Sequence, residues 1–166
     1  MRWLSDECID KHRRSKEMSG VLKEMPENLV SFLQPGAPAL LLTAGADGYP
    51  SSAYTWAVAM DSKRLRFAVD SKGTAAVNIN ASGLAGVHII GNGNLAYLVK
   101  GKAKKVKDSL EAVKPSEMMV YEMELLGARD QSFPGVTAKP FTYEWLEGEK
   151  EEMAAMENAV FSEMKE

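Results

Sequence analysis

The chain has 166 residues, 45% of them hydrophobic and 26% charged, which is enough for one ordinary domain with its own core. A net charge of -3 gives no basic surface for nucleic acid, and the single cysteine, Cys8, excludes an internal disulfide framework and makes a reducing cytoplasm the simplest location. The longest apolar run, Ala37 to Leu42, is broken by Pro38 and too short for a bilayer, and the N-terminus meets charge too early for a signal peptide, so no membrane partner is expected.

Ser5, followed by Asp6 and Glu7, is a helix start, and the basic run Lys11-His12-Arg13-Arg14-Ser15-Lys16 then lies on a solvated helical arm over residues 1–25. Pro26 opens a short second helix with an apolar stripe of Leu29, Val30, Phe32 and Leu33, ended by Gln34-Pro35-Gly36. From Ala39 the pattern changes to strands separated by turns. Ala39-Leu40-Leu41-Leu42-Thr43 is a buried-type strand, Ala46-Asp47-Gly48 a hairpin signal, and Ser51 to Met60 a strand rich in Tyr, Thr, Trp and Val. Asp61-Ser62-Lys63 turns the chain into Leu65 to Val69, where Leu65, Phe67 and Val69 alternate with less apolar neighbours. Thr74 to Ala81 reads as a helix closed by Gly83. Val87 to Ile90 and Leu95 to Val106 form a further hairpin around Gly91-Asn92-Gly93-Asn94, and Met119 to Leu126 is a sixth strand.

Six mostly antiparallel strands with one crossover helix predict a mainly β domain over 26–147, a closed or nearly closed barrel with flanking helices that leaves few exposed edges. In the tail, 148–166, Met153, Met156, Val160 and Met164 recur at spacings of three and four among glutamates. That is an amphipathic helix, packed on the domain or on a partner subunit.

Gly91-Asn92-Gly93-Asn94 lacks the third glycine and the following helix of a dinucleotide fingerprint, and reads as a turn. His12 and His88 are the only histidines and neither has a Cys or His at ligand spacing, so no metal is expected; His88 reads as a core or interface histidine. No nucleophile, base and orienting acid stand together, and no catalytic residue is assigned.

Ser71-Lys72-Gly73-Thr74 remains. The Ser71 and Thr74 hydroxyls, the Lys72 ammonium and the free N–H groups of a helix beginning near Thr74 have the chemistry to hold a phosphate. The same residues also suit a plain helix cap beside a solvated lysine.

The order of these pieces resembles a known family. A helix, Ala39-Leu-Leu-Leu-Thr, Asp47-Gly48-Tyr49-Pro50, the Thr55-Trp56 strand, Leu65-Arg-Phe-Ala-Val-Asp-Ser-Lys, the Ala-Ala-Val-Asn-Ile helix and Val99-Lys100-Gly101-Lys102-Ala103 are similar, over residues 26–127, to the pyridoxamine 5'-phosphate oxidase-like FMN-binding split barrels. The resemblance implies a six-stranded antiparallel split β-barrel, a homodimer, and FMN in a groove between subunits. It places Asp70, Ser71, Lys72 and Thr74 at the phosphate and Tyr54, Thr55 and Trp56 along the flavin. Ser51 to Val58 carries no cation where the oxidase proper has an Arg and a Lys, so the implied protein is a flavin-dependent oxidoreductase other than a true pyridoxamine phosphate oxidase, with an unidentified small-molecule substrate. The alternative is a non-enzymatic dimer of the same fold that is cofactor-free or holds another small aromatic ligand.

Overall fold

Apolar side chains at every second position build six strands, and a computed structural model, which describes residues 20–166, closes them into one antiparallel barrel. The strands are β1 (Ala37–Ala44), β2 (Pro50–Ala59), β3 (Arg64–Asp70), β4 (Leu84–Gly91), β5 (Leu95–Lys107) and β6 (Met118–Asp130). Around the barrel they run β1-β2-β3-β6-β5-β4. Three helices flank it: α1 (Glu27–Leu33), α2 (Thr74–Ser82) and α3 (Lys150–Glu163). All six expected strands are present, and the observed fold is mainly β, as expected. The helix expected from Ser5, with Cys8 and His12, lies outside the described residues. Gly20 to Met25 include no helix; Leu22 and Ala128 instead exchange two backbone hydrogen bonds of 2.9 and 2.8 Å.

The barrel interior is filled by Ala39 and Leu41, Ala57 and Ala59, Leu65, Phe67 and Val69, Val87 and Ile89, Val99, and Tyr121 and Met123, all buried. Phe67 stands directly opposite Tyr121 in the β3–β6 register, and their rings stack with centroids 6.1 Å apart. Helix α1 buries Leu29 and Leu33 against this core. Helix α2 ends where Gly83 takes the left-handed conformation, φ 68°, and accepts the role of its cap through a backbone bond to Ile79. Gly101 sits at an irregularity in the β5–β6 ladder, where a Cβ would lie 2.1 Å from the Glu124 carbonyl oxygen; only glycine allows the two strands to approach there.

A second apolar cluster lies outside the barrel wall. Val58, Ala68 and Val120, on the outward faces of β2, β3 and β6, are covered by Val160, Phe161 and Met164 of the tail, together with Leu110. Each of these large side chains gains about 1.5–3 kcal/mol from burial. Of the expected stripe, Val160 and Met164 are thus buried within the chain and Met156 packs partly against the same cluster, while Met153 lies outside it; Phe161 is a further anchor that the spacing of the methionines did not single out. The Arg66 guanidinium binds the Met164 carbonyl at 2.9 Å, and Glu163 accepts the N–H groups of Glu111 and Ala112 at 2.9 and 3.0 Å, so the helix is fixed at its C-terminal end.

The hairpin β1–β2 is paired along its whole length, Ala37↔Ala57 to Ala44↔Pro50. Its outer ladders are short: Leu40 to Leu42 on β4 and Ala57 to Ala59 on β3.

Candidate functional site

Two cavities open along β2 and share Tyr54. The smaller, about 240 Å³, is bounded by the end of β3, the first residues of α2 and the start of β2, with Asp70, Gly73, Thr74, Ala75, Ser51 and Ser52 among its walls. The larger, about 410 Å³, is lined by Tyr54, Thr55, Trp56, Tyr143, Glu144 and Trp145.

The position of α2 follows from a buried polar tie. Asn78 donates to the Thr43 hydroxyl at 2.9 Å, which fixes the helix against β1 and directs its N-terminus at the small cavity. The N-cap is Gly73, with no side-chain cap bond, so Thr74 is the first helical residue and not the cap. The plain-cap reading of Ser71-Lys72-Gly73-Thr74 is corrected accordingly. Asp70 makes the turn: its side-chain carboxylate accepts the Lys72 N–H at 2.9 Å, and its backbone carbonyl accepts the Gly73 N–H at 3.0 Å. The N–H groups of Thr74 and Ala75 are too early in the helix for an intrahelical acceptor. Together with the hydroxyls of Thr74, Ser51 and Ser52 they give the small cavity a wall of hydrogen-bond donors.

Ser71 and Lys72 face elsewhere. Lys72 Nζ lies 3.1 Å from a Glu117 carboxylate oxygen, and the Ser71 hydroxyl donates to the same oxygen at 3.2 Å. The hydrogen bond from Lys72, then its charge, then the Ser71 bond, hold the Glu117 carboxyl below its ordinary value. A carboxylate of this chain therefore sits on the cation expected to hold a phosphate. Glu117 could not be singled out from the sequence, because it reaches Ser71 only through the pairing of Asp70 with Met118 at the start of β6.

The three aromatic-strand residues divide between two faces. Thr55 is buried and its hydroxyl donates 2.6 Å to the Ala68 carbonyl, so that side chain ties β2 to β3. Tyr54 and Trp56 point outward. Tyr54 stacks on Phe141, centroids 4.9 Å apart, and the Phe141 N–H donates to Ile90. The Trp56 indole N–H is shared between the Tyr143 hydroxyl, 2.6 Å, and Glu157 of α3, 3.0 Å. Glu157 also accepts the Tyr143 hydroxyl and, at 3.2 Å, the Trp145 indole N–H. Burial, then the bond to Glu157, push the Tyr143 phenol well above its usual range, so it remains a donor. The sequence carried one signal for this part of the site: Phe141, Tyr143 and Trp145 at alternate positions share one side of an extended segment.

The closed antiparallel barrel, with an aromatic slot and a donor-lined pocket along the same hairpin, defines a split-barrel protein. The sequence model of pyridoxamine 5'-phosphate oxidase matches residues 25–144, and the chain belongs to the pyridoxamine 5'-phosphate oxidase-like split-barrel family. Among solved structures it is similar to an F420 reductase, with 22% identity and a TM-score of 0.55 over 64% of this chain and 100% of that one. It is also similar to a Lactobacillus delbrueckii protein named for pyridoxamine 5'-phosphate oxidase, with 20% identity and a TM-score of 0.50 over 64% of this chain and 93% of the other. Group A Streptococcus HupZ shares 14% identity, with a TM-score of 0.51 over 68% of this chain and 94% of that one. These likenesses bear on the fold. No curated protein matches the sequence. Among the described residues no helix is long and apolar enough to cross a membrane, and no three metal-ligating side chains converge.

Proposed function

We propose that the protein binds a flavin mononucleotide and serves as a flavin-dependent oxidoreductase. The observation that carries this reading is the pair of cavities meeting at Tyr54: flat aromatic faces on one side, amides and hydroxyls at a helix N-terminus on the other, the two halves of a ligand with a planar ring and an anionic tail. The residues present fit such a group in shape and in hydrogen bonding. Tyr54 and Trp56 would contact the ring, and Ser51, Ser52, Thr74 and the Thr74 and Ala75 amides would hold the phosphate, with Lys72 joining them where it leaves Glu117. Thr55 contributes by fixing β2 on β3. When bound, the flavin supplies hydride or electron transfer; the chain supplies position and electrostatics. Similarity in fold to an F420 reductase is consistent with chemistry of this class.

The Lys72–Glu117 pair favours a second reading, a split barrel that holds a flat aromatic ligand without a phosphate. Titration with FMN and with riboflavin, followed by quenching of flavin fluorescence, separates the two. Tighter binding of FMN supports the first reading. Equal affinities remove the phosphate pocket, and no binding of either removes the flavin.

A further inference from the structure

The aromatic slot has a charge that the flavin reading does not use. Its walls are Tyr54, Trp56, Tyr143 and Trp145, with Tyr143 and Trp145 edge to face at 5.2 Å. Three of the four turn their polar atoms to one place, the Glu157 carboxylate, which accepts the Trp56 and Trp145 indole N–H groups and the Tyr143 hydroxyl. With those polar atoms engaged by Glu157, what the slot offers a ligand is mostly aromatic carbon, whose π-faces carry the electron-rich pole of the ring quadrupole. Glu144 stands in the lining itself. Among the described residues neither Glu144 nor Glu157 is paired with a Lys, Arg or His. Glu157, moreover, comes from α3, beyond the region matched by the family, which ends at residue 144.

Two carboxylates with no cationic partner among the described residues, behind and beside a set of aromatic rings, make an environment that repels anions and gives a neutral ligand chiefly apolar contact. A cation gains from both, through the ring quadrupoles and through the carboxylates. We infer that this slot is a binding site for a small organic cation, one whose charge is spread over alkylated nitrogen, as in a quaternary ammonium. At about 410 Å³ it admits a ligand of that size. In the flavin reading the ring takes the Tyr54 and Trp56 side and the cation, as the substrate class, the Tyr143, Glu144 and Trp145 side of the same groove; without flavin the cation has the whole slot, and its binding does not depend on that reading.

The test uses choline and its uncharged isostere 3,3-dimethylbutan-1-ol, titrated into the full chain without added flavin. Tryptophan fluorescence reports binding, since two of the three tryptophans, Trp56 and Trp145, line the slot. Choline is expected to bind roughly tenfold or more tightly than the alcohol. Glu144→Gln, at an exposed position, is expected to weaken choline about threefold and leave the alcohol unchanged, and Trp145→Leu to weaken choline about tenfold. Equal affinity for the two probes overturns the inference, as does choline binding that neither variant alters, or the absence of choline binding in the folded protein. Failure of FMN alone to bind bears on the flavin reading and leaves the cation site standing.

Discussion

On the flavin reading, Glu117 and the phosphate of the ligand compete for the Lys72 ammonium. The Lys72–Glu117 pair is exposed on both sides, 77% and 61%, so it adds little to stability and its partners exchange readily. Replacing Glu117 with Gln leaves Lys72 free for the ligand. Glu117→Gln is expected to tighten FMN binding roughly three- to tenfold, and Lys72→Ala to weaken it roughly tenfold or more, with the melting temperature of both variants near that of the parent. An unchanged FMN affinity in Glu117→Gln, beside a clear loss in Lys72→Ala, would show that the carboxylate does not compete. The sequence located the donor group but not its competitor. Lys72 and Ser71 are legible as chemistry in one short stretch, whereas Glu117 acquires its role only when two distant strand ends meet. Thr55 shows the same limit from the other side: a hydroxyl on an aromatic strand is equally suited to a ligand and to the Ala68 carbonyl, and burial decides between them.

Among the elements, the strands were the most legible part, because alternation and the turn residues Asp47-Gly48 and Asn92-Gly93 leave few other solutions. The segment from 131 to 149 was not, since it has no repeating backbone pattern and is held by single side chains such as Phe141 and Trp145. The tail helix was legible as amphipathic, but its seat on Val58, Ala68 and Val120 was not, because that surface is the outside of three separate strands. Its end is sensitive to acid. Burial acts to raise the Glu163 pKa, but the Glu111 and Ala112 N–H groups and Lys107 outweigh it and leave the carboxyl below its ordinary 4.5. A lowered folded value means stabilisation that is complete above 4.5 and fades as the pH falls through the folded value. Glu163→Gln should therefore melt below the parent at pH 7, and the gap should narrow as the pH falls below 4.5. A gap that stays constant with pH would show that packing, not the carboxylate, is what the substitution disturbs.

For the whole molecule, the outward row Leu40, His88 and Leu98 runs across β1, β4 and β5 in direct register, next to Leu42, where an antiparallel sheet facing water would carry polar side chains. Burial lowers the His88 pKa, which keeps the ring neutral in that row. This row is one apolar face among the described residues that a second subunit could cover. Light scattering at micromolar concentration is expected to give about twice the 18.2 kDa chain mass, and a Leu40→Lys variant about one chain. A parent protein that is monomeric at these concentrations would show that the row is simply tolerated surface.

The short ladders on either side of β1–β2 have a consequence for motion. Internally the hairpin is bonded along eight residue pairs, but only three join it to β4 and three to β3. Opening it as a unit would break few ladder pairs, and is opposed by the core burial of Ala39, Leu41, Ala57 and Ala59 and by side-chain ties from Thr55 to Ala68, Thr43 to Asn78 and Trp56 to Glu157. Amide hydrogen exchange should therefore be faster and more uniform at Leu40 to Leu42 and Ala57 to Ala59 than along β5–β6. Both cavities straddle this panel and its neighbours, so any molecule that fills them bridges the moving part to the fixed part. Ligand binding should slow exchange in the hairpin by about the factor 1 + [L]/Kd. The breathing of one hairpin would then report the occupancy of the groove before the identity of its occupant is known.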